Sequence, residues 1–184
     1  MPISKEAVMP RPAVFLDRDG TLIEDVGILS DPADICLFSD TIATLAELQK
    51  HYLLFVVTNQ NGIAKGLITL SQVEAVNAAL DARLRQDGIT IQHWYVCPHH
   101  RQDQCRCIKP NPTFLREAAR DYDIDLSVSF VIGDHPHDPA TADAVGATGL
   151  YVLTGHGTRH RDELPEGRHV FETLGQAGDW IAHQ

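Results

Sequence analysis

Asp17 and Asp19 stand one residue apart, directly after the apolar run Val14-Phe15-Leu16 and directly before Gly20-Thr21. Such a run reads as a buried parallel strand, and the glycine as the sharp turn that leaves both acids at the strand's carboxyl end. With Arg18 between them, the two carboxylates are expected on one side of an extended chain. At an effective dielectric of about 20, two unit charges about 4 Å apart repel by roughly 4 kcal/mol, so their proximity calls for a cation. Magnesium suits the position because it takes one or two carboxylates, several waters and a substrate phosphate in place of a full protein cage. A calcium loop of the EF-hand type is excluded by register: counted from Asp17, its glycine position holds Leu22 and its closing glutamate position holds Ile28. A solvated acidic turn is the remaining alternative.

Other apolar runs end in groups that complement these acids. Val57-Thr58-Asn59-Gln60 supplies a hydroxyl and two amides, which bind phosphate without adding charge, although Thr58 alone could equally cap a turn. Ile132-Gly133-Asp134 supplies a third acid and a candidate magnesium ligand; Asp138 follows, either supporting that ion or capping the helix that Pro139 opens. Lys109 is the lysine placed to meet an anion held over Asp17. A carboxylate nucleophile, a second acid, a magnesium set, a hydroxyl and a lysine describe phosphoryl transfer through an aspartyl phosphate. Asp17 approaching a phosphate dianion meets about 8 kcal/mol of repulsion on the same assumptions, which magnesium and Lys109 would cancel. Asp19 would give a proton to the departing alcohol and later take one from water.

Cys97-Pro98-His99 and Cys105-Arg106-Cys107 form a second constellation, with five residues between the two pairs. Three thiolates and an imidazole close a tetrahedral zinc site and leave no position for water, so this metal is expected to be structural. His100 competes with His99, but His99 repeats the one-residue spacing of the cysteine pair. Cys107 stands two residues before Lys109, so a zinc that fixes the loop would also aim the lysine. The fourth cysteine, Cys36, reads as a loop or core thiol.

The elements that must position these groups follow from alternating apolar runs and helical patterns, which predict βαβ units feeding a parallel sheet. Strands are expected at Ala13 to Leu16, Leu53 to Val57, Trp94 to Val96, Phe130 to Ile132 and Leu150 to Leu153. Helices are expected through Ile42, Leu45 and Leu48; through Val76, Leu80 and Leu84 behind a Ser71-x-x-Glu74 capping box; and through Leu115, Ala118 and Ala119 after Asn111-Pro112. Pro139 and Gly146 bracket a shorter helix, and Thr173 to Ile181 a final one. Asp25 to Phe38 and Cys97 to Pro112 are irregular segments that should overhang the site.

The 184 residues, 43% hydrophobic and 22% charged, suit one domain spanning 1–184 with a full core. A net charge of −10 argues against nucleic acid or an anionic membrane as a partner. Arg101, Arg106 and Lys109 are scattered cations near the site and form no basic groove for a polynucleotide end. No apolar stretch reaches the length of a membrane span, and Met1-Pro2-Ile3-Ser4-Lys5 lacks the apolar core of a signal peptide, so a cytoplasmic monomer acting on a small phosphorylated metabolite is expected.

Through Asp17-Arg18-Asp19-Gly20-Thr21, Thr58, Lys109 and Gly133-Asp134 with Asp138, the chain resembles the haloacid dehalogenase (HAD) superfamily of phosphatases over about residues 13 to 155. The resemblance implies a Rossmann-like three-layer α/β/α fold with a mainly parallel sheet and a minimal cap. It also implies Asp17 as nucleophile, Asp19 as general acid/base, and magnesium on Asp17, the Asp19 backbone carbonyl and Asp134. The Cys-Pro-His-His, Cys-x-Cys and Lys-Pro segments are similar to the zinc-containing heptose bisphosphate phosphatases and the related histidinol-phosphate phosphatases, and Thr58 to Gly66 is similar to the heptose group. That similarity implies substrate contacts from Asp25, Gly27, Ile28, Thr58, Asn59, Gln60, Asn61, Ile108, Lys109, Asp134 and His135. Ile108 and His135 stand where those relatives usually carry arginine and lysine, which weakens the case for a substrate with two phosphates. A zinc-stabilised binding module whose acids merely hold a cation is the reading from another class.

Overall fold

A computed structural model describes residues 10–184; the Met1 to Lys5 start lies outside the described residues. Six strands, β1 (Ala13–Leu16), β2 (Leu53–Asn59), β3 (Ile91–Cys97), β4 (Phe130–Gly133), β5 (Thr148–Val152) and β6 (His169–Phe171), form one parallel sheet in the order β3-β2-β1-β4-β5-β6. β1 is buried at every position, as an apolar four-residue run covered on both faces must be. The order reverses direction at β1, whose neighbours are β2 and β4. Ligands of open α/β sheets bind outside the carboxyl ends of strands at such a switch point.

Alternate residues of the strands feed two cores. Val14, Leu16, Leu54 and Val56 pack under α1 (Thr41–Leu48), α2 (Leu70–Gln86) and the C-terminal helix, Leu174–Ile181. Phe15, Phe55, Val57 and Val131 pack under α3 (Thr113–Tyr122) and α4 (His137–Asp143). The result is three layers, α/β/α, with a short α5 (Gly157–His160) between β5 and β6 and the C-terminal helix as α6. Among the described residues no helix is long and apolar enough to cross a membrane.

Several details differ from the sequence reading. The capping box of α2 is Thr69 with Gln72, not Ser71 with Glu74, because the helix starts one turn earlier than its apolar stripe. α4 starts at His137 behind Pro136, so Pro139 lies inside its first turn. β3 and β2 run longer than expected, since polar positions such as the exposed His93 and the half-buried Asn59 continue their ladder past the apolar centre. β6 and α5 carry too few apolar residues to announce themselves. β1 ends at Leu16 and the chain bends at Arg18, so a turn and not strand alternation brings Asp17 and Asp19 together.

Gly149 in β5 lies against Pro139 of α4, where a Cβ would come within 2.5 Å of the proline Cα. Backbone cannot yield there as a side-chain tip could. Gly149→Val is expected to cost about 2–3 kcal/mol, a fall in Tm of roughly 4–12 °C by differential scanning calorimetry; an unchanged Tm would show that the α4–β5 contact is slack.

Candidate active site

The carboxyl ends of β1, β2 and β4, with the loops that follow them, enclose a cavity of about 350 Å³. Its wall includes every residue expected from the motifs: Asp17, Asp19, Thr58, Asn59, Gln60, Lys109, Asp134 and Asp138, together with Asp25, Gly27, Ile28, Asn61, Ile108 and His135. Asp17 is fixed at the switch point by its N–H, which donates to the Ile132 carbonyl of β4 at 2.9 Å.

Lys109 is the centre of the charge arrangement. Its side chain is 4% exposed, and Nζ lies 3.0 Å from Asp17 Oδ1 and 2.6 Å from Asp138 Oδ1, and donates to the Val57 carbonyl at 2.9 Å. Burial alone would lower the lysine pKa; Asp138 and Asp17 outweigh it and hold the ammonium firmly protonated. Asp138 also accepts the His135 N–H at 3.0 Å. It therefore holds the lysine, a role the sequence did not suggest, and braces the turn into α4 without capping the helix, while its place beside Asp17 and Asp134 suits the ion-supporting alternative.

Asp17 and Asp134 are both pushed up. For Asp17 burial is the largest cause, opposed by Lys109 and reinforced by Asp138. For Asp134 burial comes first, then the Asp17 and Asp138 charges, and its carboxyl reaches about 8. One carboxylate oxygen from each of Asp17, Asp134 and Asp138 lies within 4.8 Å of the others. With one lysine against three acids, the cluster is short of positive charge. Gly20 and Gly155, both in the left-handed region with φ of +78° and +53°, leave a recess beside Asp134; a Cβ on either would collide with its Oδ2. A small hard dication fits this cradle of oxygens, and the donor set is the kind magnesium takes.

Asp19 is held differently. Arg18, 1% exposed, points inward and grips both Asp19 oxygens through Nε and Nη2 at 2.9 to 3.2 Å, while its Nη1 donates to Asn77 of α2 at 2.7 Å. Gln60 Nε2 bridges Asp19 Oδ2 and Thr58 Oγ1, each at 2.8 Å. Burial still raises the Asp19 pKa against the pull of Arg18.

The thiols and imidazole of Cys97, His99, Cys105 and Cys107 converge so that their ligand atoms all lie within 4.8 Å. Cys97 and Cys107 Sγ each lie 3.6 Å from Cys105 Sγ, and His99 Nδ1 lies 3.2 Å from Cys107 Sγ. The 3.6 Å separations are those of sulfurs sharing a single tetrahedral metal with bonds of about 2.3 Å, whereas Cys97 and Cys107 Sγ, 2.7 Å apart, would have to spread by about 1 Å around it. His100 is turned away from the group and caps the short turn Arg101–Asp103 instead. Cys36 is an exposed loop thiol far from this group in the chain.

The structure adds Gly62, Arg101, His137 and His156 to the cavity wall. His156 lies beyond β5, donates its N–H to Asp134 Oδ2 at 2.7 Å, and sets its ring 3.3 Å from Asp25. No motif marked it; the only signal was its place one residue after Gly155, past a strand end. Burial and its neighbours His135 and Arg101 lower His137 to about 4, leaving it neutral near pH 7.

This geometry has close counterparts among known proteins. The chain is 31% identical over 175 residues to the D-glycero-beta-D-manno-heptose-1,7-bisphosphate 7-phosphatase of Bordetella bronchiseptica, covering 93% of this chain and 98% of that one. This chain belongs to the HAD-like heptose bisphosphate phosphatase family. The Salmonella typhi relative of the same name is 37% identical over 178 residues, covering 92% of this chain and 89% of its own. A HAD-hydrolase-like family model matches residues 106–177. The crystal structure of the B. bronchiseptica D,D-heptose 1,7-bisphosphate phosphatase complexed with magnesium and phosphate superposes with a TM-score of 0.86, at 30% identity over 94% of this chain and 98% of that chain.

A folded acid with a raised pKa binds its proton more tightly than the unfolded chain does, so Asp134 stabilises the metal-free fold below about pH 4 and loses that contribution as pH rises toward 8. A dication has to displace that proton. Titration calorimetry is therefore expected to show Mg2+ binding tightening by up to about tenfold per pH unit between pH 6 and 8. An affinity independent of pH would contradict this charge arrangement.

Proposed function

We propose that this chain is a magnesium-dependent phosphomonoesterase that removes the 7-phosphate of D-glycero-D-manno-heptose 1,7-bisphosphate through a phosphorylated Asp17. The observation that carries the reading is the Asp17 carboxylate held 3.0 Å from a buried Lys109 at the sheet's switch point, beside Asp134. The names of the relatives support the substrate, and the magnesium and phosphate in the B. bronchiseptica structure support the cofactor.

In this reading Lys109 steadies the substrate phosphoryl oxygens together with Thr58 and Asn59, while Asp17 Oδ attacks phosphorus and the bond to the sugar oxygen breaks. Asp19, raised by burial, supplies the proton to that oxygen. Asp19 then takes a proton from the water that attacks phosphorus, the bond to Asp17 breaks, and phosphate leaves. Asp17, Asp134 and the Asp19 backbone carbonyl would hold magnesium, which would supply the positive charge that lets an anionic carboxylate and a phosphate approach each other. Asp138 holds Lys109 in place from behind. Asp25, Gly27, Ile28, Gln60, Asn61, Ile108 and His135 face the sugar. Cys97, His99, Cys105 and Cys107 would hold a structural zinc that would fix the loop leading into Lys109, in a single-domain monomer working in the cytoplasm.

Phosphate release from the heptose bisphosphate with Mg2+ tests this directly. Asp17→Asn is expected to lower kcat by more than about 1,000-fold without unfolding the protein, as loss of a covalent nucleophile does. A residual rate near wild type would remove Asp17 from the role. Cys105→Ser is expected to lose zinc by metal analysis and most of the activity while circular dichroism still reports an intact sheet. Full activity in zinc-free protein would sever the loop from catalysis.

A further inference from the structure

Lys109 faces Asp17 and Asp138 and, in the reading above, the phosphoryl group that is removed, so a second anionic group calls for another cation. The other cation on the cavity wall is Arg101. It sits on the loop between His99 and Cys105, is exposed, and forms no ion pair with a carboxylate among the described residues. Its guanidinium Nη2 instead meets His137 Nε2 at the start of α4. A guanidinium offers only donors, so that nitrogen of His137 must be the lone-pair acceptor of a neutral ring. The imidazole thereby steadies Arg101 without cancelling its charge. The His135 ring lies against that of His137 with centroids 4.4 Å apart and against that of His160 at 4.7 Å, which holds the His137 ring from its other side.

From this arrangement we propose that Arg101, seated on His137, is a specificity-determining residue that binds a second phosphoryl group of the substrate at the cavity mouth. The inference rests on the phosphomonoesterase reading for the first phosphoryl group and adds the site for the second. Positive charge absent at Ile108 and His135 is thus supplied from a different position on the metal-binding loop. A planar guanidinium can meet two phosphate oxygens at once, which an aliphatic side chain at position 108 cannot.

The test is a ratio: kcat/KM for heptose 1,7-bisphosphate divided by kcat/KM for heptose 7-phosphate, which differ only by the distal group. Arg101→Gln is expected to lower that ratio by about 10- to 100-fold, mainly through KM of the bisphosphate, as loss of a charged hydrogen bond does, and Arg101→Lys to restore part of it. A general folding defect lowers both values and leaves the ratio alone. An unchanged ratio overturns the proposal. Should wild type hydrolyse neither compound, the phosphatase reading fails by itself. Titration calorimetry of both compounds against Asp17→Asn, with and without Arg101→Gln, then decides the subsite: a selective loss of bisphosphate affinity upholds it, and equal affinities overturn it.

Discussion

A single buried ammonium organises the site. Lys109 Nζ is shared by Asp17 after β1, Asp138 in α4 and the Val57 carbonyl in β2, so one atom ties together three elements and the loop from which it comes. Removing an ammonium from water costs several kcal/mol, and only several well-placed acceptors make such burial tolerable. Two carboxylates and a carbonyl supply them. Both of those acids face the lysine directly, while Asp134 has no ion pair of its own among the described residues, and burial together with the charges of Asp17 and Asp138 raises its proton affinity. The electrostatic deficit that invites a dication and the geometry that holds Asp17 are one arrangement.

That arrangement explains the fold's priorities. The reversal of strand order at β1 opens the crevice, parallel strands deliver Asp17, Thr58 and Asp134 to its rim, and the irregular loops hang over it. Arg18 extends the same logic outward: fully buried, it anchors Asp19 on one side and Asn77 of α2 on the other. The acid/base candidate is thus steadied by a helix that contributes nothing else to the cavity floor. The cysteine-rich loop acts on the opposite wall, carrying Arg101 near one end and leading into Lys109 at the other.

Much of this was legible in the chain because the chemistry is local. Asp17-Arg18-Asp19-Gly20 and Cys105-Arg106-Cys107 declare themselves by spacing, and apolar four- to seven-residue runs mark the central strands. What stayed hidden depends on distance in sequence. That Asp138 serves Lys109 is visible only once β2, the loop and α4 meet; that Arg18 turns inward depends on Asn77, 59 residues away. β6 escaped because His169–Phe171 is a short, half-exposed edge strand whose residues have no apolar alternation to betray it. The histidine cluster of His135, His137 and His160 is likewise a product of packing between α5 and the turn that enters α4, not of spacing.

The proposed covalent phosphorylation of Asp17, kept in place by Lys109, leaves a chemical mark at one position. Acid quenching within the first turnover on heptose 1,7-bisphosphate, followed by borohydride reduction, converts an aspartyl phosphate to homoserine that peptide mass spectrometry can locate. Homoserine is expected at position 17 in wild type, and not in protein quenched without substrate. Turnover with no reduced residue, or with homoserine at another aspartate, would contradict it.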